Sequence, residues 1–442
     1  MARSQWGSRL GFILAAAGSA VGLGAIWKFP YVASQNGGGA FLLIFIGFVF
    51  TLGIAMMMAE MALGRAAQSG AVGAYRKMGG KRWVWVGYMG VLVGFLIMSF
   101  YSVVGGWTIA YIIKSVTGEV ISADAKHLGS VFGSFVSDPV QPLVYHALFM
   151  ALTVGVVLGG VQKGIENLSK FLMPALFVMM LVLIVRGLFL PGALDGVAYF
   201  LNPDFSKVTG KTVIDALGLA FFSLSLGMGA MVAYGSYVSK DTSIPSSALW
   251  VVSLTTGVCI LAGLMVLPAV FAFGFDPAAG PGLTFITMPA VFAKMVGGQL
   301  FAVVFFILLM VAALTSAVSL MEVVTSFMID EFHMKRVPAA LSMASLMFVL
   351  GVPASLSLGE WSGYTLFGKG VFDLLDYTTS NILMPLGGVL LAILAGWKIW
   401  PEIHAQLGGD RGERIVWMPA MKAISCFVAP ALVGVILVYN NL

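Results

Sequence analysis

Charge is scarce in this chain. Only 10% of its 442 residues are Asp, Glu, Lys or Arg and 60% are hydrophobic, whereas soluble domains carry roughly 25% charged and 45–50% apolar residues. That balance excludes a soluble enzyme and points to an all-α polytopic membrane protein, with the lipid bilayer as its surroundings. Cysteine is nearly absent as well. Cys259 and Cys426 both fall within apolar runs, which excludes a disulfide framework and a thiolate metal cluster. The four histidines, His127, His146, His333 and His404, are scattered, and neither HExxH nor CxxC occurs, so a metalloenzyme has no signature here. No Ser-rich, Pro-rich or charged stretch is long enough to be a linker, and residues 1–442 read as one integral domain. The net charge of +5 calls for no nucleic acid, because inner membrane loops collect Lys and Arg.

Long apolar runs are what the chain does have. A spanning helix needs about 20 of them in succession, and eleven segments qualify: 10–34, 40–64, 84–115, 141–160, 167–190, 213–237, 248–274, 297–329, 338–357, 371–398 and 416–440. The second interhelical loop carries Arg65, Arg76, Lys77, Lys81 and Arg82, the fourth Lys163, and the eighth Lys335 and Arg336. By the positive-inside rule these loops face the cytoplasm of a bacterial-type inner membrane, with the amino terminus inside and the carboxyl terminus outside. Segment 275–298, semi-polar and broken by Gly and Pro, reads as an ordered outer loop with a short re-entrant helix. Arg3 and Arg9 followed by residues 11–17 have the outline of a secretory leader. The apolar pattern continues to Tyr31, however, which favours a retained span.

Two of the spans are interrupted by glycine. Gly22-Leu23-Gly24 breaks the first, and Gly227-Met228-Gly229, 205 residues later, breaks the sixth. Glycine costs about 1 kcal/mol in a helix interior, and unwound backbone survives at membrane depth only where it lines a cavity. Paired breaks in two halves of a membrane protein indicate a secondary transporter with a midplane site. Carbonyls at the end of a first half-helix favour a cation, and amides at the start of a second favour an anion. A zwitterion and a cation fit that polarity. Gly18 and Gly22 also have the spacing of a GxxxG packing face.

The stretch WGSRLGFILAAAGSAVGLGAIWKFPYVASQNGGGAF resembles the first helix and following loop of the neurotransmitter:sodium symporter family, and FFSLSLGMGAMVAYGSYV, GPGLTFITMPAVF and ALTSAVSLMEV agree similarly. The resemblance implies two inverted five-helix repeats, about 10–190 and 213–398, with broken helices 1 and 6 and an accessory eleventh helix at about 416–440. It also implies sodium-coupled symport of a small-molecule substrate, most simply an amino acid, by alternating access. The amides of Leu23 and Gly24 and the Tyr101 hydroxyl would hold a carboxylate. Carbonyls of Ala20, Phe222 and Ser223 with the Ser225 hydroxyl would hold an amine. Ile97, Phe222, Met228 and Leu320 would form the apolar walls, with Ser19 and Ser316 at the polar edge.

Family matching places one sodium among the carbonyls of Gly18, Val21 and Ala312 and the hydroxyls of Thr315 and Ser316. A further sodium site, at Ala20, Ser223 and Thr255, is reduced, because Ala25 and Thr255 stand where relatives carry side-chain amides or acids. Cys259 occupies the position of a Glu or a chloride-binding Ser. Lys28 and Asp376 match an outer gate, and Arg3 and Asp330, with Tyr237 and Ser236 nearby, an inner one. Glu60 and Glu322 read as helix-bracing acceptors. A sodium-coupled carrier of a non-amino-acid amine or sulfonate is the alternative substrate reading. A membrane-embedded enzyme or sensor is the alternative class, and a nucleophile with its base, or a soluble domain, would be its mark.

Overall fold

Bilayer interior supplies no water to backbone amides, so apolar runs of this length close their hydrogen bonds internally as helices. The computed structural model describes residues 5–274, 283–408 and 417–439. Among the described residues there is no β-strand, only isolated bridges between Gly38 and Pro203 and between Leu366 and Lys369. Eight helices among the described residues are long and apolar enough to cross a membrane: Gly39–Ala67, Lys81–Thr117, Gln141–Leu158, Val161–Leu188, Ile244–Ala272, Gly298–Phe332, Arg336–Leu356 and Val371–Lys398. They are spans 2 to 5 and 7 to 10. Span 1 is a pair, Arg9–Ala20 and Gly24–Gln35, bent by 48° at its break. Span 6 is also a pair, Gly210–Ser223 and Ala230–Gly235. Span 11 is the shorter apolar helix Met418–Leu432. A short helix, Thr284–Ala293, precedes span 8 where the sequence suggests a re-entrant segment, although 275–282 lie outside the described residues.

Burial sorts the spans into centre and rim. The apolar window of span 3 is 83% buried and that of span 8 is 72%, against 33% for span 5. Spans 3 and 8 are therefore the central pillars, and span 5 faces lipid. Small residues let the pillars approach their neighbours closely, as packing in membranes requires. A Cβ on Gly106 of span 3 would stand 2.6 Å from the backbone nitrogen of His146 in span 4.

Each broken span is anchored at its ends. Ser8 caps span 1 by accepting from the Gly11 amide at 3.0 Å. Glu166, at the start of span 5, accepts from the Gly7 amide at 2.6 Å and from the Ser8 hydroxyl at 2.9 Å. Thr209 and Thr212 form a capping box that starts span 6.

The break in span 6 depends on left-handed backbone. Gly227 and Gly229 have φ of 79° and 76°. A Cβ at Gly227 would also run into the backbone of Met384 in span 10, where its carbonyl carbon lies 3.0 Å away. A non-glycine residue in left-handed conformation costs roughly 1–2 kcal/mol before any clash. Gly227→Ala should therefore lower the unfolding temperature of the purified protein by several degrees. Gly218→Ala, in the same span but with open space at its Cβ, should leave it unchanged. Equal melting of both variants would remove this account of the break.

Candidate functional site

The two breaks face one another across spans 3 and 8. In span 1 the last regular amide bond runs from Val21 to the Ala17 carbonyl, and the ladder resumes with the Ala25 and Ile26 amides on the Gly22 carbonyl. Between them the Leu23 amide donates to the Tyr101 hydroxyl of span 3 at 3.0 Å. Glycine at 22 is required by close approach, since a Cβ there would stand 2.6 Å from the Tyr101 oxygen and 2.8 Å from Ser316 Cβ. In span 6 the Gly227 amide donates to buried Glu60 of span 2 at 2.7 Å. Ser225 adopts φ of 54°, rare for a residue with a side chain. Such strain persists where surrounding contacts fix it. Here the Ser225 hydroxyl donates to the Ser19 carbonyl at 2.9 Å.

These contacts enclose a small cavity. Ser19, Ala20, Gly24, Ile97 and Tyr101 line one part of it, and Phe222, Ser225, Met228, Ser316 and Leu320 the other. All ten are residues the sequence marks as substrate-facing. Of the other two, Leu23 is held by its amide bond to Tyr101, and Ser223 is buried just outside the lining. Two further lining residues, Gly22 and Ser319, were not singled out for it. Ser319 accepts from the Ser19 hydroxyl at 2.7 Å and donates to the Ser316 carbonyl at 2.7 Å. Its position one turn after Ser316 on span 8 was the available signal. The cavity volume is 20 Å³, room for about one water, so a larger occupant requires the walls to move.

Beside the cavity, span 1 meets the middle of span 8 through oxygen atoms. Ser316 donates to the Ser19 carbonyl at 2.8 Å and lies 3.2 Å from the Gly18 carbonyl. Thr315 donates to the Ala312 carbonyl at 3.0 Å. The oxygens of Gly18, Ala312, Thr315 and Ser316 thus gather where the two helices touch, with Val21 ending the helical segment of span 1. They are neutral, and they are the donor set a hard monovalent cation takes.

The reduced site is different. The Thr255 hydroxyl donates to the Val251 carbonyl of its own helix at 2.9 Å, and Ala25 is fully buried without a side-chain oxygen. Ser223 Oγ has no hydrogen-bond partner among the described residues, although the Cys259 thiol adjoins it.

Two closures bracket the cavity. On the side that the loop charges assign to the exterior, Lys28 and Asp376 form an ion pair at 3.3 Å, and Lys28 Nζ lies 4.7 Å from the centre of the Phe222 ring. Phe222 lines both the cavity and an outer vestibule of 240 Å³, so its ring is the wall between them. On the side that the loop charges assign to the cytoplasm, a vestibule of 860 Å³ is lined by Tyr237, Asp330 and Arg336 among others. Arg3 lies outside the described residues, and Asp330 accepts from the Gly70 amide at 2.6 Å. Glu322, read from the sequence as a helix-bracing acceptor, is one, and it has an ion-pair partner that the sequence did not point to. It accepts from the Tyr237 hydroxyl at 2.7 Å and forms an ion pair with Arg336. Arg336 also donates to the Val157 carbonyl of span 4 at 2.8 Å. Arg65 and Arg336, counted as loop charges, are thus interior fasteners; Arg65 donates to the carbonyls of Thr242 and Gln406.

Paired helix breaks around a small central cavity, with an ion pair on either side of it, are the architecture of a membrane transporter. A family model described as the sodium:neurotransmitter symporter family matches residues 3–129 and 136–440. The chain belongs to that family. It is 43% identical to the uncharacterized sodium-dependent transporter YhdH of Bacillus subtilis, over 99% of this chain and 97% of that one. The sodium-dependent dopamine transporter of Bos taurus is 28% identical, over 96% of this chain and 68% of its own length. The crystal structure of MhsT in complex with L-phenylalanine superposes with a TM-score of 0.93 at 43% identity, covering 99% of each chain. The protein is accordingly a multi-pass, sodium-dependent transporter and not an enzyme.

The Glu322 contacts give a direct test of the inner closure. Glu322→Gln leaves the Arg336 guanidinium, three-quarters buried, without its counter-charge. Breaking a buried pair from one side is strongly destabilising to the state that holds it. A reporter Ser326→Cys, buried against the inner vestibule, in a background with Cys259 and Cys426 replaced by Ala, should then react with a soluble thiol reagent at least about tenfold faster, equivalent to ~1.4 kcal/mol. An unchanged rate would show that Glu322 does not hold the inner side shut.

Proposed function

We propose that the protein imports a small zwitterionic amino acid together with sodium by alternating access. The supporting observation is the polarity of the closed cavity. Its lining combines the Tyr101 hydroxyl, which accepts from the Leu23 amide just behind it, and the Ser19, Ser225, Ser316 and Ser319 hydroxyls with apolar Ile97, Met228, Leu320 and Phe222. A carboxylate would take the Leu23 and Gly24 amides with Tyr101. An ammonium would take the Ala20, Phe222 and Ser223 carbonyls with Ser225. The complex of MhsT with L-phenylalanine favours an amino acid over an amine or sulfonate.

In this reading residues 10–190 and 213–398 are inverted repeats that rock around the paired breaks, and 416–440 is accessory. The amino terminus lies in the cytoplasm of an inner membrane. Sodium sits among Gly18, Val21, Ala312, Thr315 and Ser316. Lys28 with Asp376 closes the outer side. Arg3 and Asp330, with Tyr237 and Glu322, close the inner side.

Sodium-gradient uptake in proteoliposomes, screened across amino acids, amines and sulfonates, tests the substrate class. Uptake of a neutral amino acid that stops when potassium or choline replaces sodium is expected. Sodium-indifferent uptake, or uptake of amines or sulfonates alone, would overturn it. Because Ala25 brings no side-chain oxygen and Thr255 offers one hydroxyl where relatives carry an amide or acid, we infer one sodium ion per substrate. The sodium dependence should have a Hill coefficient near one and the reversal potential should report one charge per zwitterion. Two charges per zwitterion would show that the reduced site also carries sodium.

A further inference from the structure

On the lipid-facing side of spans 3, 4 and 5, away from the transport cavity, a groove of 900 Å³ runs between Gln141–Leu158 and Val161–Leu188. It exists because its floor is small: Ala151, Gly155, Gly159 and Gly164 take the places where longer side chains would meet. At Gly164 and Gly159 the two helices nearly touch, since a Cβ on Gly159 would stand 3.0 Å from Gly164 Cα. At Gly155 they have diverged, and a Cβ there would meet nothing within 4 Å. Leu148, Leu152 and Phe171 form the rims, exposed by 48%, 46% and 74%. Exposed apolar rims around a trough open to the bilayer present a surface to hydrocarbon.

One end of the groove is polar. Lys163 and Asn167 line it, and among the described residues neither side chain has an ion pair or hydrogen bond. Neighbouring Lys170, by contrast, is tied to Glu166 at 2.6 Å. Lys163, in the first turn of span 5, stands at the end that the positive-inside rule places toward the cytoplasm, so the polar end faces the anionic inner leaflet. A trough for one acyl chain with a free ammonium and a free amide at the headgroup level is complementary to a phospholipid bearing a negative headgroup.

We propose that this groove binds one anionic phospholipid of the inner leaflet, its acyl chain along Gly155 and Ala151 and its phosphate on Lys163 and Asn167. The occupied groove adjoins Glu166, the residue that anchors the start of span 1.

Native mass spectrometry of the full chain in detergent, titrated with phosphatidylglycerol or phosphatidylcholine of identical acyl chains, tests it. The wild type should retain one phosphatidylglycerol in preference to phosphatidylcholine. Lys163→Gln should weaken that first binding step about fivefold, the loss of one lysine's attraction near a membrane surface. Gly155→Leu fills open space, leaves folding intact and should abolish the step. Equal retention of the two lipids by the wild type, or phosphatidylglycerol binding unchanged in both variants, would overturn the proposal.

Discussion

Every unwound residue in the middle of this protein needs a hydrogen-bond partner that the bilayer cannot supply. The rest of the architecture follows from how that need is met. Tyr101 reaches from span 3 to the freed Leu23 amide, Glu60 from span 2 to the Gly227 amide, and Ser225 and Ser316 from spans 6 and 8 to the Ser19 carbonyl. Each partner sits on a different helix, so the breaks tie spans 1, 2, 3, 6 and 8 into one polar centre. Tyr101, Ser19, Ser225 and Ser316 also line the cavity, and a substrate would exchange its own hydrogen bonds for theirs.

The closures around this centre are unequal. The outer one is a point-charge contact, since Lys28 presents an ammonium where an arginine would offer a two-pronged clamp. Its ring partner Phe222 contributes a cation–π contact and a steric wall. The inner one is buried and branched: Glu322 is fully buried and joins Tyr237 of span 6 to Arg336 of span 9. Loss of a partner costs more in such a site than at an exposed pair. The inner side is thus expected to be the stiffer of the two.

Much of this was legible in the sequence because the physical signals are local. Hydropathy located spans 1 to 5 and 7 to 10, and the glycine pairs at 22–24 and 227–229 located the breaks. Ten of the lining residues came from motif agreement with the family. Glu322 reads from the sequence as a bracing acceptor, but its pairing with Arg336 was not legible, because fourteen residues and a turn separate them and Arg336 reads alone as a loop charge. Ser319 was overlooked because one more serine on a helix is more often bonded to its own backbone, which it also is. The lipid-facing groove depends on how far spans 4 and 5 diverge beyond Gly159, a tertiary property that no periodicity reports.

The central claim is that sodium is held by oxygens brought together where span 1 meets span 8. A ligand that binds only the folded protein stabilises it by mass action, by about 2.7 kcal/mol at a hundredfold excess over its dissociation constant. The direct measurement is therefore the unfolding temperature of the purified protein in sodium and in potassium at equal ionic strength, for the wild type and for Thr315→Ala with Ser316→Ala. Sodium should raise the wild-type transition by several degrees over potassium and should have no such effect on the double variant. A sodium-specific rise that survives in the double variant, or none in the wild type, would contradict the account.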